Sequence, residues 1–472
     1  MDIAIVGGGA AAVGLLDALA TAPDPVSPDG PGTITVFEPS TNLWRGRPYG
    51  PDLDSVLVNA PPAIMSVRHH DMDHYASWLG ERATDHMDEL LDRPLVPRAL
   101  YGEYLTHTAE KAVAALAERG WSVHVVPARV IGAALVTGAD RTGAHLVLRT
   151  DDGQAHVATR VALCVGAGSP PDLYGLAGTP GFVADPYPLA GTLDRIPAGS
   201  EVAVIGSGLT AVDVVVSLAA RGHRGPITLL SRTGVLPYVW QRPVDRRPLH
   251  LTAERVAALH AANGTVTLDD LVELLRRELA DSGEDFDALA AELLGTVTAD
   301  PARRLRQQLA AVDDPRIGRR MLQEAAHTVG PCAWRLLPEP DRARLRRHLR
   351  TVTALASPMV PVNASVLMRL LDSGQLTVAS GVQRIERVDG RYIINAVNPP
   401  PQAIPATARH LVDSLVATGL ATPHPAGGLV PADPRVHVVG DLAGGGPFIT
   451  SGIPGIAAQS SRTAHALCAR PS

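Results

Sequence analysis

Cysteine is scarce. Cys164, Cys332 and Cys468 are the three in 472 residues, and none belongs to a C-x-x-C pair. A dithiol redox couple and a cysteine zinc knuckle are therefore excluded. Cys164 lies in an apolar stretch and reads as an inert core thiol. Lysine is almost missing, so arginine carries nearly all of the positive charge. The net charge is −6 and the pI near 6.3, which leaves no global basic field for nucleic acid. No long uncharged apolar run is present, which argues against a membrane span and for a soluble globular protein. A basic n-region and a cleavable apolar segment are also missing at the N-terminus, so cytoplasmic residence is the expectation. Neither a nucleophile–base triad nor a metal-ligand cluster stands out. A chain of this length can hold two or three domains.

What is present starts at once. Ile3, Ile5 and Val6 make a short strand with no polar face, as a strand buried on both sides of a parallel sheet should be. Gly7, Gly9 and Ala12 then follow G-x-G-x-x-A, and Leu15, Leu16 and Leu19 continue at helical spacing. Gly7 lets the strand turn into a helix, Gly9 lets a pyrophosphate reach the backbone, and Ala12 lets the helix lie on the sheet. The helix start at Ala10 offers free N–H groups to phosphate. A second strand, Thr33 to Phe37, ends in Glu38, a carboxylate suited to a ribose diol. Glu38 is 31 residues beyond Gly7, against roughly 20 in the usual fingerprint. The excess is the Pro/Gly/Asp stretch from Pro23 to Gly32, which reads as a surface insertion.

Residues 201–232 repeat this opening. Glu201 to Ile205 is a buried strand, Gly206, Gly208 and Ala211 are again G-x-G-x-x-A, and Ile227 to Leu230 is the second strand. Ser231 and Arg232 stand where Glu38 stood. An acid contacts a free 2′-hydroxyl, whereas an arginine accommodates a 2′-phosphate. The first crevice thus suits FAD and the second NADPH.

Between and after these halves the pattern varies. A helix is expected over His70–Arg82, another from Val96 to Arg119, a strand over Trp121–Ile131, and a hairpin from His145 to Val165 ending in Gly166-Ala-Gly168. Residues 240–356 read as mostly helical, with Thr267 and Asp270 as a capping box. The many arginines there read as a solvated face with acidic partners, ahead of a funnel for an anionic substrate, and His327 and Trp334 as satisfied core residues, ahead of pocket lining. Strands are expected at Leu376–Val378, Tyr392–Val397, Leu411–Gly419 and Val436–Asp441. A Gly-rich loop then opens a last helix near Gly452 and Ile453, whose start can hold negative charge on a reduced ring.

These stretches resemble two-dinucleotide-binding flavoproteins of the glutathione-reductase-like fold. More narrowly, they are similar to an FAD/NAD(P)-binding family allied to flavin-dependent N-hydroxylating monooxygenases. The likeness rests on Gly7 to Gly14, Arg45-Gly-Arg-Pro-Tyr-Gly50, Leu57-Val-Asn-Ala-Pro61 with Met65-Ser66, Val96-Pro-Arg-Ala-Leu-Tyr-Gly102, Gly206 to Asp213 and Asp413 to Gly419. It covers roughly 1–235 and 370–470. Asp413 to Gly419 resembles the Asp…Ala-Thr-Gly motif of lysine and ornithine N-hydroxylases, and aspartate N-monooxygenases look like more distant kin. Two departures stand out. The first Ala-Thr-Gly position reads Gly166-Ala-Gly168, and a His/Arg-rich run of relatives is replaced by Ala356-Ser-Pro-Met-Val-Pro361. The Phe-x-Gly…His…Trp signature of Baeyer–Villiger monooxygenases is absent.

The expectations are then definite. The fold is α/β, with two Rossmann-like dinucleotide-binding domains and a helical insertion. The FAD unit would be 1–195 plus 420–472, the NADPH unit 196–239 plus 357–419, and 240–356 the insertion and substrate region. Cofactor contacts are expected from Gly7, Gly9, Ala10, Ala12, Glu38, Arg47, Tyr49, Asn59, Val130, Gly168, Gly206, Gly208, Ala211, Ser231, Arg232, Asp441, Gly452 and Ile453. The resemblance implies that Asp441 meets the ribityl chain and that Asn59 lies by the isoalloxazine, where it is also the catalytic candidate. Partners would be O₂ and a small molecule, without nucleic acid or membrane; a homo-oligomer is allowed. The expected activity is N-hydroxylation of an amino acid or amine through a C4a-hydroperoxyflavin. The alternatives are an NADPH-dependent reductase or electron-transfer flavoprotein, and a redox-silent protein that keeps FAD as a structural part. The cofactor would carry the chemistry, so few acid–base residues are needed.

Overall fold

The computed structural model describes all residues except 24–30, 138–143, 245, 296–299, 382–384, 386–390, 446–451 and 470–472. Most of the expected insertion at 23–32 and much of the last Gly-rich loop therefore lie outside the described residues. Two five-stranded parallel sheets organise the chain. The first runs Val436–Val438, Arg160–Leu163, Asp2–Val6, Thr33–Phe37, Ser122–Val126 in spatial order. The second runs Phe182–Val183, Arg391–Asn395, Glu201–Ile205, Ile227–Leu230, Leu376–Ala379. Each centres on the strand before its glycine turn. The next strand lies on one side and a late-returning strand on the other. The internal repeat in the sequence is thus a repeat of topology. In both sheets the order reverses beside the central strand, which opens a crevice at the carboxyl ends.

Burial on both faces explains the unbroken apolar strands. Helices Ala10–Thr21, Arg98–Glu118 and Ile453–Cys468 share one apolar core with Ile3, Ile5, Ile34 and Val36. The first and last of these helices meet closely, since a Cβ on Gly14 would stand 3.0 Å from Ser460 Oγ. The opposite face is covered by an antiparallel layer, Val130–Thr137, Ala144–Thr150 and Ala155–Ala158. The single strand expected over Trp121–Ile131 is therefore two, Ser122–Val126 in the parallel sheet and Val130–Thr137 in this layer. Pro127, which has no N–H to donate, falls between them.

A second correction concerns Leu411–Gly419. This is no strand but the end of helix Arg409–Ala417 and its cap. Leu411, Val412 and Leu415 are buried while Asp413 and Ala417 are exposed, a 3.6-residue period rather than a continuous run. The helix lies on the antiparallel layer, where Ser414 Oγ accepts from the Ala133 N–H at 3.1 Å. The buried strand that returns to the second sheet is Arg391–Asn395, followed by Ala396. The expected helix over His70–Arg82 is also shorter, His74–Leu79 with a 3₁₀ turn after it.

The described residues between Ala253–Asn263 and Leu349–Ala356 are mainly helical, around a core of Val256, Val266, Leu275, Leu279 and Met321. Thr267 accepts from the Asp270 N–H, and Asp270 accepts from the Thr267 N–H, so the capping box forms. Arginines of this region pair at the surface: Arg306 with Asp372, Arg316 with Asp314, Arg344 with Asp341, Arg346 with Glu339. Among the described residues no helix is long and apolar enough to cross a membrane.

Candidate functional site

The two glycine turns are built alike. The Gly7 N–H donates to Phe37 O at 2.9 Å and the Gly206 N–H to Leu230 O at 2.8 Å. Gly7 has φ +101°, and a Cβ there would stand 2.3 Å from Cys164 O. Gly206 has φ +121°, and a Cβ would stand 2.7 Å from Ala396 O. Only glycine satisfies both demands. Helices Ala10–Thr21 and Leu209–Ala220 then start after Gly9 and Gly208 with no side-chain cap, leaving their first N–H groups for a ligand. Ala12 and Ala211 are fully buried against the sheets. Nothing lies within 4 Å of where a Gly208 Cβ would be, so that backbone faces open space.

The rims differ as the strand-end residues imply. Glu38 accepts from the Gly8 N–H at 2.8 Å and the Ser40 N–H at 2.9 Å, which holds its carboxylate at the first turn. Each oxygen keeps a further lone pair for a hydroxyl. At the second rim Ser231 is buried and accepts from the Gly234 N–H at 2.7 Å. Arg232 is exposed and makes no ion pair among the described residues. Thr210 donates to Asn398 Oδ1 at 3.1 Å beside the same helix start.

The remaining expected residues divide. Asp441 is buried after strand Val436–Val438, and the neighbouring Gly440 N–H donates to Gln459 Oε1 at 2.7 Å. Gly452 caps the final helix and Ile453 begins it, as expected. A Cβ on Gly168 would stand 3.1 Å from Pro405 Cα, so the small residue there admits a crossing backbone. Val130 is buried in the core between the layers. Arg47 pairs with Asp185 at 2.5 Å and lies 5.5 Å from the Tyr187 ring centre. Tyr49 packs on Tyr101 at 4.6 Å between centroids. Burial pushes the Tyr49 phenol up to about 12, with Arg98 pulling down and Asp441 pushing further up. Tyr49, Arg98 and Asp441 are thus electrostatic neighbours.

Asn59 sits at the meeting point. Its carbonyl accepts the Trp240 indole N–H at 2.8 Å. Its side chain lies alongside Asp213, close enough to steady the negative charge without a regular hydrogen bond at Oδ1. Asp213 is fully buried and accepts from Arg98 Nη2 at 2.6 Å and from the Tyr187 hydroxyl at 2.5 Å. Burial holds the Asp213 carboxyl above its usual range, against the pull of Arg98. This cluster joins the two units and was missed as a unit in the sequence. Its signal was there: a lone aspartate amid Ala211-Val-Asp-Val-Val-Val216 demands a buried partner, and Val96-Pro-Arg98 supplies it. His327, whose Nε2 lies 2.7 Å from Ala356 O, and Trp334, whose indole N–H donates to Gly445 O at 2.6 Å, are satisfied as expected. No cluster of three or more metal-ligating side chains occurs among the described residues. Burial raises the Cys164 thiol to about 12, the state of an inert core group.

Residues 4–168 match the model of a family described as FAD-NAD(P)-binding. No curated protein matches the chain. Among solved structures, L-lysine 6-monooxygenase from Pseudomonas syringae is similar over 99% of this chain and 98% of its own, with TM-score 0.56 and 14% identity. The FAD-bound cadaverine monooxygenase of the desferrioxamine pathway from Erwinia amylovora covers 97% of this chain and 92% of its own, with TM-score 0.51 and 11% identity. A cyclohexanone monooxygenase bound to epsilon-caprolactone covers 99% and 87%, with TM-score 0.50 and 16% identity. At such identities the likeness establishes the fold alone.

Proposed function

We propose that the chain is an FAD-dependent, NADPH-oxidising monooxygenase that acts on a small molecule, by N-hydroxylation of an amino acid or amine. One observation carries the reading. Two equivalent glycine crevices face different rims, Glu38 on one and on the other Arg232, which has no ion pair among the described residues, in a single fold shared with lysine and cadaverine monooxygenases. Bound FAD would supply the redox chemistry, accepting a hydride from NADPH and then activating O₂. The chain's own part is to bind, orient and exclude water. Uncapped helix starts after Gly9 and Gly208 suit the pyrophosphates. Asp441 suits the ribityl hydroxyls, and the start of Ile453–Cys468 suits charge on the ring. Asn59 would be the polar group beside the ring. Next to it Ile64, Leu91, Leu95, Trp240 and Val360 pack in one buried apolar cluster, which helps keep water from this seam.

The unit boundaries belong to the same proposal, with strand Phe182–Val183 assigned to the NADPH unit because it pairs there. A second reading, an NADPH-dependent reductase without oxygen insertion, draws on the replacement of the basic run by Ala356 to Pro361, which removes a ready anchor for a substrate carboxylate. The test is NADPH and O₂ consumption by the FAD-loaded protein across lysine, ornithine, cadaverine and other amines, with hydroxylamine scored against peroxide. Hydroxylamine from at least one amine is expected. Peroxide alone with every compound leaves the reductase reading.

A further inference from the structure

The Val96-Pro-Arg-Ala-Leu-Tyr-Gly102 stretch has no task in the chemistry above, yet its arginine makes three side-chain hydrogen bonds where the units meet. Arg98 begins helix Arg98–Glu118 of the first unit. Its Nε donates to Leu57 O at 3.0 Å, its Nη1 to the Tyr187 hydroxyl at 3.0 Å, and its Nη2 to Asp213 at 2.6 Å. Its backbone N–H also donates to Val56 O at 2.8 Å. One guanidinium therefore touches the loop that leads to Asn59, the segment before helix Leu189–Leu193, and helix Leu209–Ala220.

The other end of this joint is the helix whose start would hold the nicotinamide coenzyme's pyrophosphate. Asp213 is four residues beyond Leu209, about 6 Å along the axis. Ser217 follows one turn later on the same face, with its Oγ 2.8 Å from Ser55 Oγ. Around these polar contacts the same loop enters the second unit's core: Val56 is buried with Leu189, Val204 and Val212. Asp52 accepts the N–H groups of Leu189 and Ala190, both at 2.8 Å. A buried ion pair is weak evidence for stability, since an apolar pair of equal volume would serve as well. It does fix a single geometry, because a fork of donors meets three acceptors in set directions.

We propose that Arg98 and Asp213 are positioning residues, and that their buried pair with Tyr187 sets the phosphate-binding helix of the second unit against the flavin-side loop at the spacing that hydride transfer needs. The proposal rests on the flavoprotein reading for its chemistry: NADPH loses a hydride to become NADP⁺, and the flavin takes both electrons.

Arg98→Lys, Asp213→Asn and Tyr187→Phe test it on the full chain. Anaerobic reduction of bound FAD at saturating NADPH is followed at the flavin band. The lysine and asparagine variants should keep FAD and bind 2′,5′-ADP within about threefold of the parent, while the reduction rate falls about 10- to 100-fold, as misplacement by about 1 Å does. Tyr187→Phe, which leaves the ion pair, should keep the fold and lose about threefold. In the FAD-free chain, amide exchange over residues 209–217 should quicken in the first two variants. Reduction within twofold of the parent in all three overturns the proposal, as does a slower rate traced wholly to FAD loss. If the parent itself is not reduced by NADPH, the flavoenzyme reading has failed, and the exchange result alone decides the joint: unchanged protection sinks it.

Discussion

Trp240 donates its indole N–H to the Asn59 carbonyl at 2.8 Å, so the helical region is tied directly to the turn expected beside the flavin. Trp334 does the same for Gly445 at 2.6 Å. Two indoles thus seat one helical body on two backbone segments of the first unit. Trp240→Phe keeps a buried ring but removes the donor, leaving a carbonyl to find water. The expected cost is about 1–2 kcal/mol of stability, read as a lower melting temperature. Water admitted at this seam should also raise peroxide released per NADPH oxidised. Unaltered coupling in a folded variant would separate Trp240 from the active cleft.

The glycine positions differ in what a methyl group would meet. At Gly7 it would stand 2.3 Å from the Cys164 carbonyl, with the backbone at φ +101°. Gly7→Ala should therefore lose FAD or fail to fold. Gly208 has φ −86°, which alanine adopts freely, and its surroundings are open. Gly208→Ala should fold, keep the flavin absorbance, and raise the KM for NADPH about tenfold or more by blocking the pyrophosphate's approach. Steady-state kinetics on the yellow protein checks this. An unchanged KM would mean that the open space at Gly208 holds no coenzyme.

The duplicated crevices were legible because their demands are local: Gly7 and Gly206 need positive φ, Ala12 and Ala211 need contact with a sheet, and each requirement names its residue. Helix Arg409–Ala417 was not legible as a helix. Leu411, Val412, Leu415 and Val416 give an apolar run that periodicity alone assigns to either class. What decided it was the antiparallel layer beneath, including Ala133 at 281 residues' separation from Ser414. The Arg98–Asp213 joint was half legible. Each residue stood in a recognised motif, but a pairing across 115 residues is set by how two sheets dock, which no local pattern records.

His437 makes the acid limb of stability predictable. Burial, and then the Arg160 charge, lower its imidazole from 6.5 to about 4. The unfolded chain therefore binds the extra proton first as pH falls. Stability conferred by the neutral imidazole is present above about 6.5 and is lost between there and about 4, by on the order of 2–3 kcal/mol. His327, also lowered by burial, acts in the same direction. Asp213, raised by burial, acts oppositely, gaining stability toward acid. Comparing the parent with His437→Gln isolates the first group. Denaturant midpoints at several pH values should fall less steeply for the variant below pH 6.5. Parallel curves would show that His437 is already solvated when folded.

Arg232 tests the coenzyme assignment most directly. Several other arginines are committed: Arg98 to Asp213, Arg68 to Asp17, Arg435 to Asp433. Arg232 is exposed at the end of strand Ile227–Leu230, next to buried Ser231, and has no acidic partner among the described residues. A guanidinium at that rim can meet a 2′-phosphate with charge-assisted hydrogen bonds, each worth about 1.5–3 kcal/mol. Arg232→Ala should raise the KM for NADPH by about 10- to 100-fold and leave that for NADH nearly unchanged, since NADH has no phosphate to lose. The gap between the coenzymes should also narrow as salt is added to the parent, because an exposed pair is screened. Equal effects on both coenzymes would remove the phosphate from this rim and return Arg232 to the solvated surface.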